Sequence, residues 1–208
     1  IELTEFIFKD KAPEFINIGG GYFGNMDEKL KNQFEIEVPT YKDYGRIIAS
    51  HLKSSYKKDR PKLILEPGSA LVADCMEFFS KVISLKEVRG RKIATVAGSN
   101  FNTSPTSKET NLPMKVYAKN KRNTYSRDNI DVGGYTCIET DYLQKKFIGD
   151  IEVGDFIGLE NVGSYSVVMK PPFILPNRTI LGVEEDLNDL IVIKREETFE
   201  DIFNTFNL

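Results

Sequence analysis

The run Asp131-Val132-Gly133-Gly134-Tyr135-Thr136-Cys137-Ile138-Glu139-Thr140-Asp141 decides how the rest of this chain is read. A cysteine follows a Gly-Gly pair and is hedged by acids. Downstream, Glu160-Asn161-Val162-Gly163-Ser164-Tyr165 sets a tyrosine in a second glycine turn. Upstream lie Ile18-Gly19-Gly20-Gly21-Tyr22 and then Leu65-Glu66-Pro67-Gly68-Ser69. Taken singly, each piece has a plain structural reading: a packed thiol, or a turn that ends a strand. The triple glycine also has a chemical one, because backbone N–H groups without a neighbouring Cβ can approach a phosphate closely.

Around these pieces the chain divides in two. Phe15 to Ile18 reads as a short apolar strand ending in the glycines. From Thr40 to about Lys57 the period becomes helical, with Tyr44, Ile47, Ile48, His51, Leu52 and Ser55 on one face. Thr40 and Asp43 have the spacing of a short capping box. Lys62 to Glu66 reads as a buried strand closing on Pro67-Gly68. Strand, helix and strand, each with its polar residues at the C-terminal end, is the rhythm of a β/α barrel, with room for its last two strands. After Ser69 the pattern is all-β. A hairpin is predicted from Val72 to Val88 and Lys92 to Val96, with further strands at Met114 to Ala118, Tyr135 to Ile138, Asp155 to Glu160 and Leu190 to Ile193. Residues 98–112 read as a surface loop and Glu197 to Phe206 as a terminal helix. The expected fold class is α/β plus all-β, with residues 1–70 as the end of a β/α barrel and 71–208 as a β-barrel or β-sandwich domain.

Composition narrows the function. A chain of 208 residues with 40% hydrophobic and 28% charged residues can bury a core. A net charge of −3 and scattered basic residues argue against a nucleic-acid binder. No apolar run approaches a membrane span, and Ile1-Glu2-Leu3-Thr4-Glu5 lacks the basic leader of a signal peptide. Ile1 reads as the interior of a longer protein, so a fragment is expected. Cys75 and Cys137 make no disulfide framework and fit a reducing, cytoplasmic setting. With His51 as the one histidine and no clustered cysteines, no metal site is expected. A serine hydrolase is disfavoured as well, since no Gly-x-Ser-x-Gly is present.

In their order these motifs resemble the pyridoxal-phosphate-dependent decarboxylases of ornithine and diaminopimelate, whose barrel is of the alanine-racemase type. The resemblance runs to the tail, where Lys194-Arg195-Glu196-Glu197-Thr198-Phe199-Glu200-Asp201 is similar to the family's ending. It implies that Gly19, Gly20 and Gly21 form the phosphate loop and that Glu66 pairs with the pyridinium nitrogen of the cofactor. A carboxylate there favours the protonated ring. Gly68, Ser69 and Tyr165 are implied as further cofactor positions. Cys137 corresponds to the cysteine that reaches across a homodimer interface and reprotonates the substrate carbon, a task suited to a thiol. The implied reaction is loss of the α-carboxylate from a polar amino acid.

The departures are specific. Ser69 stands where the family has arginine, which removes one charge-assisted contact. Ile138 follows Cys137 where relatives carry an acid for the substrate's distal amine. Glu139 is the candidate to replace it, although neighbouring strand positions face opposite sides, and Tyr165 is a second candidate substrate contact. Asn111-Leu112-Pro113-Met114-Lys115-Val116-Tyr117 only loosely resembles the family's substrate segment. A substrate other than diaminopimelate or ornithine is therefore expected. The Schiff-base lysine is expected upstream of Ile1, in the missing N-terminal half of the same protein, and Lys119 is rejected because it falls in the β-domain. The alternative reading is a non-catalytic regulatory homologue that keeps fold and dimer surface. Racemisation on the same cofactor is disfavoured by the cysteine motif.

Overall fold

The computed structural model describes residues 1–9, 11–103, 110–122, 127–184 and 189–207. The chain forms two compact units, and each is described by itself. The first holds Ile1–Glu77, Glu109–Met114 and Leu159–Ser164, and the second holds Phe78–Lys108, Lys115–Gly158 and Tyr165–Leu208.

The first unit contains helix α1 (Glu2–Phe8), strand β1 (Phe15–Asn17), helix α2 (Glu28–Lys31), helix α3 (Tyr41–Ser55), strand β2 (Lys62–Ile64) and helix α4 (Ser69–Val72). β1 and β2 pair in parallel, with Phe15, Ile16 and Asn17 opposite Lys62, Leu63 and Ile64. Parallel strands need a long crossover, which the segment carrying α2 and α3 supplies. The pairing runs past both strands: the Ile18 N–H donates to the Ile64 carbonyl (3.2 Å) and the Glu66 N–H to the Gly19 carbonyl (2.8 Å). α3 starts at the predicted capping box, in which Thr40 and Asp43 satisfy each other's backbone N–H. It ends at Ser55, where the predicted face also ends and two residues short of Lys57, and none of its residues is buried. His51 is exposed, with Nε2 3.6 Å from the Glu2 carboxylate. The buried apolar residues of this unit include Ile16, Leu30, Tyr56, Ala70, Leu112 and Val162.

The second unit is built on strands β3 (Phe78–Val88), β4 (Arg91–Val96), β5 (Met114–Tyr117), β6 (Asp128–Gly133), β7 (Tyr142–Gly149) and β8 (Phe156–Leu159). They form one sheet in the order β5-β8-β3-β4-β6-β7. β3 and β4 make the expected antiparallel hairpin, although β3 starts at Phe78 and residues 73–75 form a 3₁₀ turn. β4 and β6 run parallel, and β6 and β7 antiparallel. Val82, Ala94, Val96, Val132 and Ile157 have no exposed surface and form the centre of this core. Strands β9 (Ile180–Val183) and β10 (Leu190–Lys194) make a separate antiparallel pair, followed by helix α5 (Phe199–Phe203).

Three expectations are corrected. Lys62 to Glu66 is not a buried strand, since β2 ends at Ile64 and none of these residues is buried. Tyr135 to Ile138 is not a strand: β6 ends at Gly133, and residues 134–141 form a loop before β7. Just past the end of β6 the Gly134 N–H donates to the Asp141 carbonyl (2.9 Å), which brings the two ends of the loop together. The stretch 98–112 is not all irregular, since Asn100–Asn102 form a 3₁₀ turn capped by Ser99; residues 104–109 of it lie outside the described residues. Among the described residues, no helix is long and apolar enough to cross a membrane.

Candidate functional site

The first unit brings the triple glycine and Glu66 together. Both lie just beyond the C-terminal ends of the parallel strands β1 and β2. Asn17, the last residue of β1, ties them: its side-chain oxygen accepts the Gly19 N–H (2.8 Å) and its amide donates to Glu66 Oε1 (2.6 Å). Gly19 and Gly21 hold left-handed backbone angles, φ +72° and +84°, in open space. Gly20 is needed for a different reason, since a Cβ there would overlap the Glu66 carbonyl oxygen. Only a bare backbone lets the turn sit against the end of β2. The Gly20 and Gly21 N–H groups have no hydrogen-bond partner among the described residues. The chain leaving the turn is pinned to α3, whose Tyr44 hydroxyl accepts the Phe23 N–H (3.2 Å) and whose ring meets Tyr22 edge-on.

Gly68 precedes α4 and Ser69 is its first residue. Gly68 has φ +45°, so the turn after Glu66 also uses glycine's freedom. Tyr41 of α3 donates its hydroxyl hydrogen to the Ala70 carbonyl, which anchors α4 to α3.

Cys137, Glu139 and Tyr165 belong to the second unit. Cys137 is an exposed free thiol in the loop 134–141, and Glu139 lies in the turn of the same loop. Strand alternation therefore does not govern which way Ile138 and Glu139 face. Tyr165 is about half exposed (46%), with φ +64° in a turn closed by the Met169 N–H on its carbonyl (3.0 Å). Lys119 follows β5, and its backbone N–H donates to Asp155 (3.0 Å).

Two residues not anticipated from sequence hold these segments. Asn17 is one. The other is Asp141, whose buried carboxylate accepts from Ser99 Oγ (3.0 Å), the Asn100 N–H (2.8 Å), the Thr136 N–H (3.1 Å) and Thr136 Oγ1 (2.6 Å). Their partners lie far off in sequence, at Glu66 for Asn17 and at Ser99 for Asp141. The signals are faint: a polar residue ending an apolar strand, and an acid closing a Gly-Gly loop.

The arrangement in the first unit fits a phosphorylated, nitrogen-heterocyclic cofactor. Unpaired N–H groups on a glycine turn suit a phosphate, and a fixed carboxylate suits a protonated ring nitrogen. Comparison with known proteins gives this fit a context. A diaminopimelate decarboxylase of Methanocaldococcus jannaschii is 30% identical over 193 residues, 91% of this chain and 41% of the relative. That of Bacillus subtilis is 26% identical over 196 residues, with 90% and 42% covered. The crystal structure of the M. jannaschii protein superposes with a TM-score of 0.78 at 22% identity, over 100% of this chain and 46% of that one. An arginine decarboxylase of Paramecium bursaria Chlorella virus gives 0.61 at 19% identity, over 78% and 42%. The M. jannaschii and Helicobacter pylori enzymes have also been solved in complex with L-lysine. No family model matches the chain.

The fold is thus that of the amino-acid decarboxylases built from a barrel and a β-domain, here with part of the barrel. In sequence the chain is similar to the diaminopimelate decarboxylases over about nine tenths of its length, as the motif order implies, and it spans less than half the length of the curated relatives named here.

Proposed function

We propose that this chain is the C-terminal part of a pyridoxal-phosphate-dependent amino-acid decarboxylase. The observation that carries the reading is the joint fixing of the glycine turn and Glu66 by Asn17 at the ends of two parallel strands. Gly19, Gly20 and Gly21 would hold the cofactor phosphate, with Gly68, Ser69 and Tyr165 as further contacts. Glu66 would hold the ring nitrogen in its protonated form. Bound pyridoxal phosphate supplies a sink for the electron pair left when carbon dioxide departs. Cys137 Sγ then delivers a proton to the substrate carbon, and Glu139 and Tyr165 are the proposed substrate contacts. The Schiff-base lysine is assigned to the N-terminal half of the same protein, and the working form is a cytoplasmic homodimer with composite sites. The substrate is a polar amino acid, and Ile138, in place of an acid, argues for one other than diaminopimelate.

A full-length protein assayed for carbon dioxide release against a panel of amino acids tests this directly. Glu66→Gln should cut turnover by about a hundredfold or more, the scale of losing one preorganised electrostatic partner. Wild-type rates from that variant would remove Glu66 from the mechanism. Cys137→Ala should slow turnover and misdirect protonation while leaving cofactor absorbance intact. Unchanged kinetics and products would remove Cys137. Ser69, where relatives place arginine, favours a second reading as a regulatory homologue. Cofactor binding without turnover on any amino acid would select it.

A further inference from the structure

We propose that Asp141 is the positioning residue for the Cys137 thiol. The proposal deepens the reading of Cys137 as proton donor and rests on it. Residues 134–141 have no strand ladder to hold them. The loop is closed at its base by the Gly134 N–H on the Asp141 carbonyl (2.9 Å) and by the Asp141 N–H on the Ile138 carbonyl (3.0 Å). The grip nearest the thiol is on Thr136, which directly precedes Cys137. Both its N–H and its hydroxyl donate to Asp141 Oδ2. The hydroxyl oxygen in turn accepts the Ile138 N–H (3.3 Å), so the residues on either side of Cys137 are held through one carboxylate oxygen.

The other carboxylate oxygen faces a fixed point. Oδ1 accepts from Ser99 Oγ and from the Asn100 N–H. Those two residues belong to the capped 3₁₀ turn, where the Ser99 N–H donates to Asn102 (3.0 Å) and the Phe101 N–H to Ser99 (3.2 Å). Two bonds per oxygen come close to filling a carboxylate's acceptor capacity. At Gly134 a Cβ would overlap the Asp141 carboxylate, which explains the second glycine of the pair. Asp141 thus spans from a rigid turn to the residue before the thiol. No residue of the β3–β4–β6–β8 core takes part in these bonds, so their loss is expected to move the loop before it unfolds the sheet.

In Asp141→Asn the isosteric amide would turn a donor toward either Thr136 or the Ser99–Asn100 pair, setting donor against donor. The experiment uses the full-length protein carrying Asp141→Asn, Thr136→Val, Thr136→Ser or Cys137→Ala. Alkylation of Cys137 by iodoacetamide is timed by peptide mass spectrometry, with exposed Cys75 in the same sample as the internal reference. Asp141→Asn and Thr136→Val should each change the Cys137-to-Cys75 rate ratio by about threefold or more, the scale of losing one net hydrogen bond. Thr136→Ser, which keeps the hydroxyl, should restore the wild-type ratio. In turnover, kcat should fall with KM unchanged, and deuterium placement in the product should lose stereochemical purity. Folded Asp141→Asn and Thr136→Val proteins with wild-type ratios would overturn the proposal. If Asp141→Asn fails to fold, the Thr136→Val and Thr136→Ser pair decides by the same ratio. If Cys137→Ala leaves turnover and products unchanged, the proton-donor reading fails, while the alkylation ratios still decide whether Asp141 places this thiol.

Discussion

The two units spend their apolar residues differently. In the first, α3 buries none of its residues, and Ile47 is 63% exposed. In the second, Val82, Val96, Val132 and Ile157 have no exposure at all and come from four strands of one sheet. The six-stranded sheet buries side chains from β3, β4, β6 and β8, whereas the helices of the first unit bury only Leu30 and Ala70. The β-rich unit is therefore held by packing and by buried charge. The β/α unit relies more on local devices: a capping box, a tyrosine hydroxyl and the Asn17 clamp. Substitutions should separate the two.

The largest effect is expected at Asp155. Its buried carboxylate takes an ion pair from Arg122, whose side chain is itself only 8% exposed, and accepts the Lys119 and Glu152 N–H groups. Asp155→Ala leaves the guanidinium partly uncompensated, although Asp150 remains at 2.7 Å, and should cost about 3–5 kcal/mol. Urea denaturation followed by circular dichroism measures this, and a loss below about 1 kcal/mol would mean that the cluster is no anchor. The same group predicts an acid limit. Burial alone would raise the Asp155 pKa, but the Arg122 hydrogen bond and the two N–H groups outweigh it and hold the carboxyl below its ordinary range. Asp131 follows the same pattern, with the Lys146 N–H and Arg91 outweighing burial. A lowered folded-state value means that this stability is fully present above the unfolded pKa of about 3.9 and is lost as pH falls toward the folded value. The urea midpoint should fall below about pH 4, with a shallower slope in Asp155→Asn.

Smaller effects are expected in the first unit. Gly20→Ala forces a methyl group into the Glu66 carbonyl and should cost about 1–3 kcal/mol, seen as a lower thermal midpoint. Thr40→Ala removes the side-chain cap of α3 and should cost about 1 kcal/mol in the same measurement. Gly45 lies within α3 with open space around it, so Gly45→Ala should stabilise by about 0.5–1 kcal/mol. A destabilised Gly45→Ala would show that α3 is packed more tightly than its exposure indicates.

What can be read in advance follows the range of the forces involved. The capping box at Thr40 and Asp43 spans one helical turn, and the β3–β4 hairpin is closed by Arg89-Gly90, so local pattern suffices for both. The glycine turn and Glu66 are legible as motifs, and the parallel register of β1 and β2 places them side by side. The loop carrying Cys137 reads wrongly as a strand because Tyr135, Thr136 and Ile138 favour strands, while the bonds that bend it come from Ser99 and Asn100. Helix α1 escapes notice because it is only seven residues long: Leu3, Phe6 and Ile7 have the i, i+3, i+4 spacing of a helix face, but over too short a window for a period to stand out. β7 escapes it because a lysine pair interrupts its alternation.

The Asn17 clamp has a mechanical consequence. Rotating that amide by half a turn would face its NH₂ toward the Gly19 N–H and its oxygen toward the Glu66 carboxylate, so both contacts would become repulsive together. The amide has one permitted orientation, and through it the turn and the acid are geared to each other. A tug on the glycines is felt at the carboxylate without any helix or sheet having to shift.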